Sequence, residues 1–148
     1  MMTTRAGWSR LIFAAVLCAA GLLIAPTPNA VAAAPNWSWL DARHYAGPIP
    51  AGPTLLESVR LDPALSVRGA GEAYRILYST VNQHGQPAVS TAAVFVPHGE
   101  APSGGWPVVA WAHGTVGLGD DCTPSALPRS ARDDEYLSHW LDQGYAVV

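Results

Sequence analysis

Basic residues are few in this 148-residue chain, and lysine is absent: all eight basic residues are arginines, against 11 acidic residues. The formal net charge is −3, and the sequence contains no block of like charges. Nucleic acids and anionic membrane surfaces are bound through clustered positive charge, which this chain lacks. Neither is therefore predicted as a partner.

Cysteine is also scarce, with only Cys18 and Cys122 beside five scattered histidines. Metal sites in proteins need such residues at short, regular spacings, so no metal site is predicted. Internal repeats and low-complexity tracts are absent too. The apolar fraction of 49% is typical of a globular protein.

The amino-terminal segment has the pattern of an export signal. Arg5 and Arg10 precede an apolar stretch over residues 11–24, and a small-residue region ends in Ala30-Val31-Ala32. This order of positive, apolar and small residues predicts a cleavable signal peptide over residues 1–32. The apolar stretch is shorter than the roughly 20 residues that span a membrane, which makes an uncleaved anchor the weaker interpretation. The protein is thus expected to be secreted or associated with the cell envelope.

Cleavage of the signal changes the charge and the cysteine count. The mature chain keeps six arginines against 11 acidic residues, a net charge of −5, and Cys122 is its only cysteine. A single cysteine in an exported protein indicates a partner elsewhere or an exposed thiol.

Residues 33–71 are rich in proline and predict an irregular arm before the main domain. Trp37 and Trp39 are interpreted as anchors that pack on that domain, with a lipid-contacting aromatic patch as the alternative. Residues 54–61 fit either a short strand or an extended packing segment.

From residue 72 onward the pattern predicts an α/β fold. Alternating residues 74–79, a turn-forming stretch over residues 82–87 and a β-branched run to residue 96 predict an antiparallel hairpin. The apolar run over residues 108–112 then predicts a strand buried on both faces.

A helix and a further strand are predicted after a polar, acidic loop. Ser130 and Asp133 form a capping-box pattern, and Tyr136 is followed four residues later by Trp140 on the same helical face. Gly144 offers a left-handed stop, and residues 145–148 read as the first half of another buried strand. His139 falls on the other flank and is predicted to be a surface residue.

Two short motifs in this part of the chain resemble the secretory lipase family of α/β-hydrolases. They are A-H-G-T-x-G at residues 112–117 and D-C-x-P-S at residues 121–125, within a match that spans residues 53–148. The resemblance implies a serine lipase or esterase that acts on lipids or other esters and needs no cofactor. It leaves the acyl preference and the oligomeric state open.

The resemblance also implies roles for individual residues. The backbone N–H of Thr115 or Val116 would stabilise an oxyanion, with His113, Gly114 and Gly117 as the supporting motif. Cys122 would form a disulfide with a downstream cysteine in an intact relative.

The catalytic residues of such an enzyme are missing from these 148 residues. No G-x-S-x-G motif occurs, and the nearest match, around Ser103, lacks its first glycine and reads as a turn. The family order places the strand that begins at Tyr145 between the hairpin and the central strand, and here that strand stops at Val148. The expectation is a truncated α/β-hydrolase sheet that is inactive alone. A non-catalytic exported binding module, or the remnant of another α/β-hydrolase such as a peptidase, is the alternative.

The signal-peptide assignment predicts that the exported protein begins near Ala33, because the small residues before it fit the signal-peptidase cleavage pattern. The mass of the secreted product, measured intact, checks this prediction. A product that still carried residues before Ala30 would contradict it.

Overall fold

A long antiparallel hairpin forms the centre of the fold in the computed structural model, which describes residues 34–148. Its strands are β2, Ala70–Val81, and β3, Pro87–Pro97, after an edge strand β1, Leu55–Arg60. Two short strands, β4 at Val108–Val109 and β5 at Ala146–Val147, complete a mixed five-stranded sheet in the order β1-β2-β3-β5-β4. One helix, α1, spans Ala131–Asp142. The predicted α/β class is confirmed, whereas the predicted signal peptide lies outside the described residues.

The hairpin confirms the period-2 pattern of the sequence. Arg75, Leu77 and Ser79 are buried on one face of β2. In the turn, Asn82 Oδ1 accepts hydrogen bonds from the backbone N–H groups of His84 and Gln86, at 2.9 and 3.0 Å. This side chain closes the turn together with two backbone hydrogen bonds, from Gly85 N–H to Asn82 O and from Asn82 N–H to Gln86 O.

Part of the predicted irregular arm belongs to the sheet. β1 pairs antiparallel with β2, with Arg60 opposite Tyr74. Of the two interpretations of residues 54–61, the strand is therefore the correct one. The remainder of the arm contains two short 3₁₀ turns, Ala42–His44 and Pro63–Leu65.

Strand β5 joins the hairpin to β4. It pairs antiparallel with β3, where Phe95 lies opposite Val147, and parallel with β4. This is the position expected for the strand that begins at Tyr145. The connection from β4 to β5 runs through α1, as parallel neighbours require a crossover.

Helix α1 begins and ends as its sequence predicts. Ser130 is the N-cap, and its hydroxyl oxygen accepts a hydrogen bond from the N–H of Asp133 at 3.1 Å. Gly144, with φ of +78°, adopts the left-handed conformation just after the helix. Leu137 and Leu141 face the sheet and are buried in the main core, which also contains Leu61, Leu65, Val67, Ala93, Phe95 and Val147.

Strand β4 is less buried than its sequence predicts. Regular pairing covers only Val108 and Val109, and Val108 is 61% exposed. The prediction of a strand buried on both faces is wrong for the described residues, because β4 lies at the edge of the sheet with β5 as its single neighbour there. A run of apolar residues indicates a strand but does not reveal how many neighbours cover it. Within residues 34–148, no helix is long and apolar enough to cross a membrane.

The core contact of α1 gives a stability prediction. Leu137 is fully buried, so Leu137→Ala should lower the free energy of unfolding by about 2–5 kcal/mol through lost burial and a residual cavity. The adjacent Tyr136 is 46% exposed, and Tyr136→Ala should cost less than about 1 kcal/mol. Urea unfolding followed by circular dichroism measures both. Equal losses for the two variants would mean that this helix face is not packed as described.

Candidate functional site

A cleft of about 640 Å³ opens where the parallel strands β4 and β5 end. Residues 110–113, which follow β4, form one wall, and Val147 and Val148 line it at the end of β5. Open α/β sheets bind ligands outside the carboxyl ends of their parallel strands, and this cleft has that position. The remaining walls come from β2, β3, the arm and the loop before α1, through Trp37, Asp41, Ala42, Arg43, Tyr78, Val89, Ser90, Thr91, Ala92, Ala93, Phe95, Asp120, Thr123, Pro124, Ser125 and Arg129.

His113 lies at the cleft with its ring held by local contacts. Its Nδ1 lies 2.7 Å from the carbonyl oxygen of Gly114, and because a carbonyl oxygen only accepts, Nδ1 is the donor. The ring packs edge-on against Trp111, with centroids 6.2 Å apart. A backbone carbonyl orients this histidine, rather than the carboxylate that orients a catalytic base.

The two oxyanion candidates lie in an exposed loop just beyond the cleft wall. Thr115 and Val116 are exposed and do not line the cleft. Within residues 34–148, their N–H groups donate no hydrogen bond. Unpaired donors are what an oxyanion site needs, and Gly114 beside them is also exposed. The structure thus brings only Ala112 and His113 of this motif to the cleft.

Gly117 packs directly on Cys122. Gly117 has φ of +142°, and a Cβ at this position would overlap the Cys122 sulfur and Cβ. Cys122 ends a 3₁₀ turn, Asp120–Cys122, and has no disulfide partner in the part of the chain that the structure describes. The contact holds the two motifs together, since Gly117 is the last residue of the first and Cys122 is the second residue of the second.

Ser103 and Ser125 have structural surroundings. Ser103 lies in a turn closed by the hydrogen bond from Gly105 N–H to Pro102 O, at 2.9 Å, which confirms its prediction as a turn residue. Ser125 lines the cleft, but its hydroxyl oxygen accepts a hydrogen bond from Arg75 at 3.0 Å. His113 and Ser125 make no hydrogen bond with each other, so no dyad is formed.

Arg75 is a buried cation that the sequence analysis did not identify. Its guanidinium donates to Leu40 O at 2.8 Å, to Ser125 O at 2.7 Å and to Thr91 Oγ1 at 2.8 Å. It also stacks 4.9 Å from the ring centroid of Trp37. Burial lowers the pKa of Arg75 to about 10, which leaves it charged at neutral pH. The alternation along β2 places Arg75 on the same face as Leu77 and Ser79, and this pattern could have indicated its burial.

Arg129 is a second desolvated cation, and it lines the cleft. Its Nη1 donates to the carbonyl oxygens of Pro124 and Leu127. The guanidinium lies 5.5 Å from the ring centroid of Phe95. Burial lowers the pKa of Arg129 as well, and its Nε is buried without a hydrogen-bond partner.

Arg43, which lines the cleft, forms ion pairs with two acidic side chains. Asp41 contacts Arg43 at 2.8 Å, and Asp121 lies 3.5 Å from the same guanidinium. The hydrogen bond from Arg43 lowers the pKa of Asp41, which is therefore ionised at neutral pH. Among the described residues, no group of three His, Cys, Asp or Glu side chains could hold a metal ion.

Comparisons of the chain with protein-family models, with curated proteins and with solved structures found no match. What the structure establishes is a mixed, open α/β sheet with a cleft at the carboxyl ends of its parallel strands. The relation to secretory lipases rests on the sequence motifs and stays a prediction.

The Gly117 contact predicts the effect of a single added methyl group. Gly117→Ala should destabilise the chain by about 1–3 kcal/mol, because the new Cβ overlaps Cys122 and the backbone conformation disfavours L side chains. It should also raise the rate at which Ellman's reagent labels Cys122, since the thiol must move outward.

Gly114→Ala is the matched control, because nothing lies within 4 Å of a Cβ at that position. It should leave the melting temperature and the labelling rate nearly unchanged. Equal behaviour of the two variants would show that the close approach of Gly117 to Cys122 does not exist in solution.

Proposed function

We propose that this chain is the amino-terminal part of an exported serine carboxylic-ester hydrolase of the α/β-hydrolase type, acting on acyl lipids or related esters. The observation that carries the proposal is the path of the chain from β4 along the cleft into His113, Gly114 and Thr115. An α/β-hydrolase uses a loop at this position to supply a backbone donor to its oxyanion hole.

This chain would contribute to one step of the reaction, the stabilisation of the oxyanion. When a serine hydroxyl attacks the ester carbonyl, the carbonyl oxygen gains negative charge in the tetrahedral intermediate. The unpaired N–H of Thr115 or Val116 would donate to that oxygen, together with the N–H that follows the nucleophile. Gly114, at which nothing crowds the backbone, gives the loop the freedom to turn these donors towards the cleft. The reaction proceeds by nucleophilic and acid–base catalysis without a metal or an organic cofactor.

The serine, the acid and the catalytic histidine must come from residues outside this sequence. The 148 residues contain no G-x-S-x-G motif, and the nearest serines are held by a turn and by Arg75. The predicted signal peptide directs the protein to the cell envelope or the medium. There it would meet lipid or ester substrates.

Trp39 favours a second candidate, an exported binding module without catalysis. This side chain is fully exposed, whereas the neighbouring Trp37 packs against the Arg75 guanidinium. Fully exposed tryptophan is typical of contact surfaces. Binding to phosphatidylcholine vesicles that Trp39→Ala abolishes, in a chain that never supports ester hydrolysis, would favour the module over the hydrolase.

The hydrolase proposal predicts a strong effect of one backbone donor. In a chimera that supplies the downstream catalytic residues, Thr115→Pro should lower kcat for a nitrophenyl ester by about 10²- to 10³-fold, the usual cost of one oxyanion donor. Thr115→Ser keeps the N–H and should change kcat little. A folded proline variant with full activity would exclude Thr115 as the donor, and Val116→Pro then tests the alternative.

The chain alone should hydrolyse no ester above background, because it has no group to form an acyl-enzyme. Nitrophenyl butanoate assays of the purified 148-residue chain measure this. Activity that Ser103→Ala or Ser125→Ala abolishes would contradict the proposal, because the nucleophile would then lie within these residues.

A further inference from the structure

The edge of the Arg129 guanidinium that Nε and Nη2 form has no hydrogen-bond partner in the described part of the chain. Within the described part of the chain, Nη1 donates to two backbone carbonyls, while Nε is buried without an acceptor and Nη2 donates no hydrogen bond. Nε–H and one Nη2–H point the same way and match the two oxygens of a carboxylate. A buried, charged donor without an acceptor is costly, so an incoming anion would relieve an existing penalty.

No carboxylate of this chain neutralises Arg129. The charge of Asp133 raises the pKa of Arg129, but Asp133 forms its ion pair with Arg132, at 3.0 Å. Asp41 forms an ion pair with Arg43. No ion pair of Arg129 occurs in residues 34–148, and residues 1–33 contain no Asp or Glu. The described residues thus supply no carboxylate partner to Arg129.

A second buried cation lies nearby, and Asp41 offsets part of its charge without contacting it. Arg75 is buried, bonded only to uncharged oxygens, and close enough to Arg129 for the two charges to repel each other. One anion in the cleft would be attracted by both. Arg75 and Arg129 thus both contribute to the positive potential at this end of the cleft.

The cleft is lined by both apolar and charged side chains, of which the acidic ones are Asp41 and Asp120. Phe95, Trp111 and Val147 line it together with the small side chains of Ala92 and Ala93. A volume of about 640 Å³ is within the range of pockets that hold small organic ligands. The ligand that fits these walls has a charged head and an apolar tail.

We infer that the cleft contains a carboxylate-binding subsite, in which Arg129 holds the head group of a medium-chain fatty acid and Phe95 and Trp111 contact its chain. Such an acid has the chemistry of an ester-hydrolysis product. Its binding requires no hydrolysis, so the subsite can be tested in the 148-residue chain whether or not the proposed activity is correct.

Sodium octanoate is the probe, and intrinsic tryptophan emission is the readout, because Trp37 and Trp111 line the cleft. Nε is covered by neighbouring atoms, so the guanidinium must shift to present both donors, and the emission should change in a saturable way. Octanamide, with the same chain and no charge, should bind at least about tenfold more weakly, as expected when a charge-assisted hydrogen bond is lost. Absence of saturable octanoate binding, or equal binding of octanamide, would overturn the inference.

Variants then locate the site. Arg129→Gln should weaken octanoate binding about 10- to 100-fold, and Arg129→Lys should retain part of it, because the charge remains without the planar fork. Arg60→Gln is the matched control, since Arg60 is an exposed arginine on β1 paired with Glu72 at 3.1 Å. Unchanged binding in Arg129→Gln would contradict the assignment.

Thermal unfolding gives a second readout that does not depend on fluorescence. Octanoate should raise the Tm of the parent chain and of Arg60→Gln, because a ligand that binds only the folded state stabilises it. It should not raise the Tm of Arg129→Met, which keeps side-chain volume and removes the buried charge. An equal rise in all three chains would mean that octanoate binds elsewhere.

Discussion

The buried guanidinium of Arg75 is the interaction on which the rest of the structure depends. It joins three parts of the chain that are distant in sequence: the arm through Leu40 O, β3 through Thr91 Oγ1, and the loop before α1 through Ser125. Removing an arginine from water is costly, and among the described residues no carboxylate forms an ion pair with Arg75, although Asp41 favours its charged form at longer range. Carbonyl and hydroxyl oxygens replace the lost water instead. The cation therefore fixes backbone positions, and these define three walls of the cleft.

The contacts of Arg75 bring the proline-rich arm into the packing of the domain. The proline-rich segment before β1 covers the guanidinium, with Trp37 stacked on one side of Arg75 and Leu40 accepting its hydrogen bond. The arm is thus part of the domain's packing as well as a wall of the cleft. Arg129, in contrast, lies where its surroundings satisfy only one of its nitrogen atoms. The two desolvated arginines thus differ in one respect. The described chain supplies hydrogen-bond acceptors to all three guanidinium nitrogen atoms of Arg75 but to only one of those of Arg129.

Local patterns predicted the hairpin and α1 because the information lies within a few residues. Alternation along β2, the Asn82 turn and the Ser130 cap are all short-range features. The role of Arg75 was not predictable in this way, since its acceptors lie 35 and 50 positions away in the chain. The exposure of Val108 depends on the neighbours of β4. The placement of Thr115 beyond the cleft wall depends on loop backbone angles that motifs do not specify.

The turn at Ser38 and Trp39 has a consequence for the order of folding. Both residues are non-glycine and have left-handed backbone angles, with φ of 44° and 64°, a conformation that costs about 1–2 kcal/mol per residue. Ser38 N–H donates to Asn36 Oδ1 within the turn, and the Ser38 hydroxyl accepts a hydrogen bond from Asp62 N–H just after β1, each at 3.0 Å. We expect the arm to close after the edge strand, because its contact with Asp62 requires the end of β1 to be in place. Each opening withdraws Leu40 O from Arg75, which makes hydration of the central cation and release of the arm a single event.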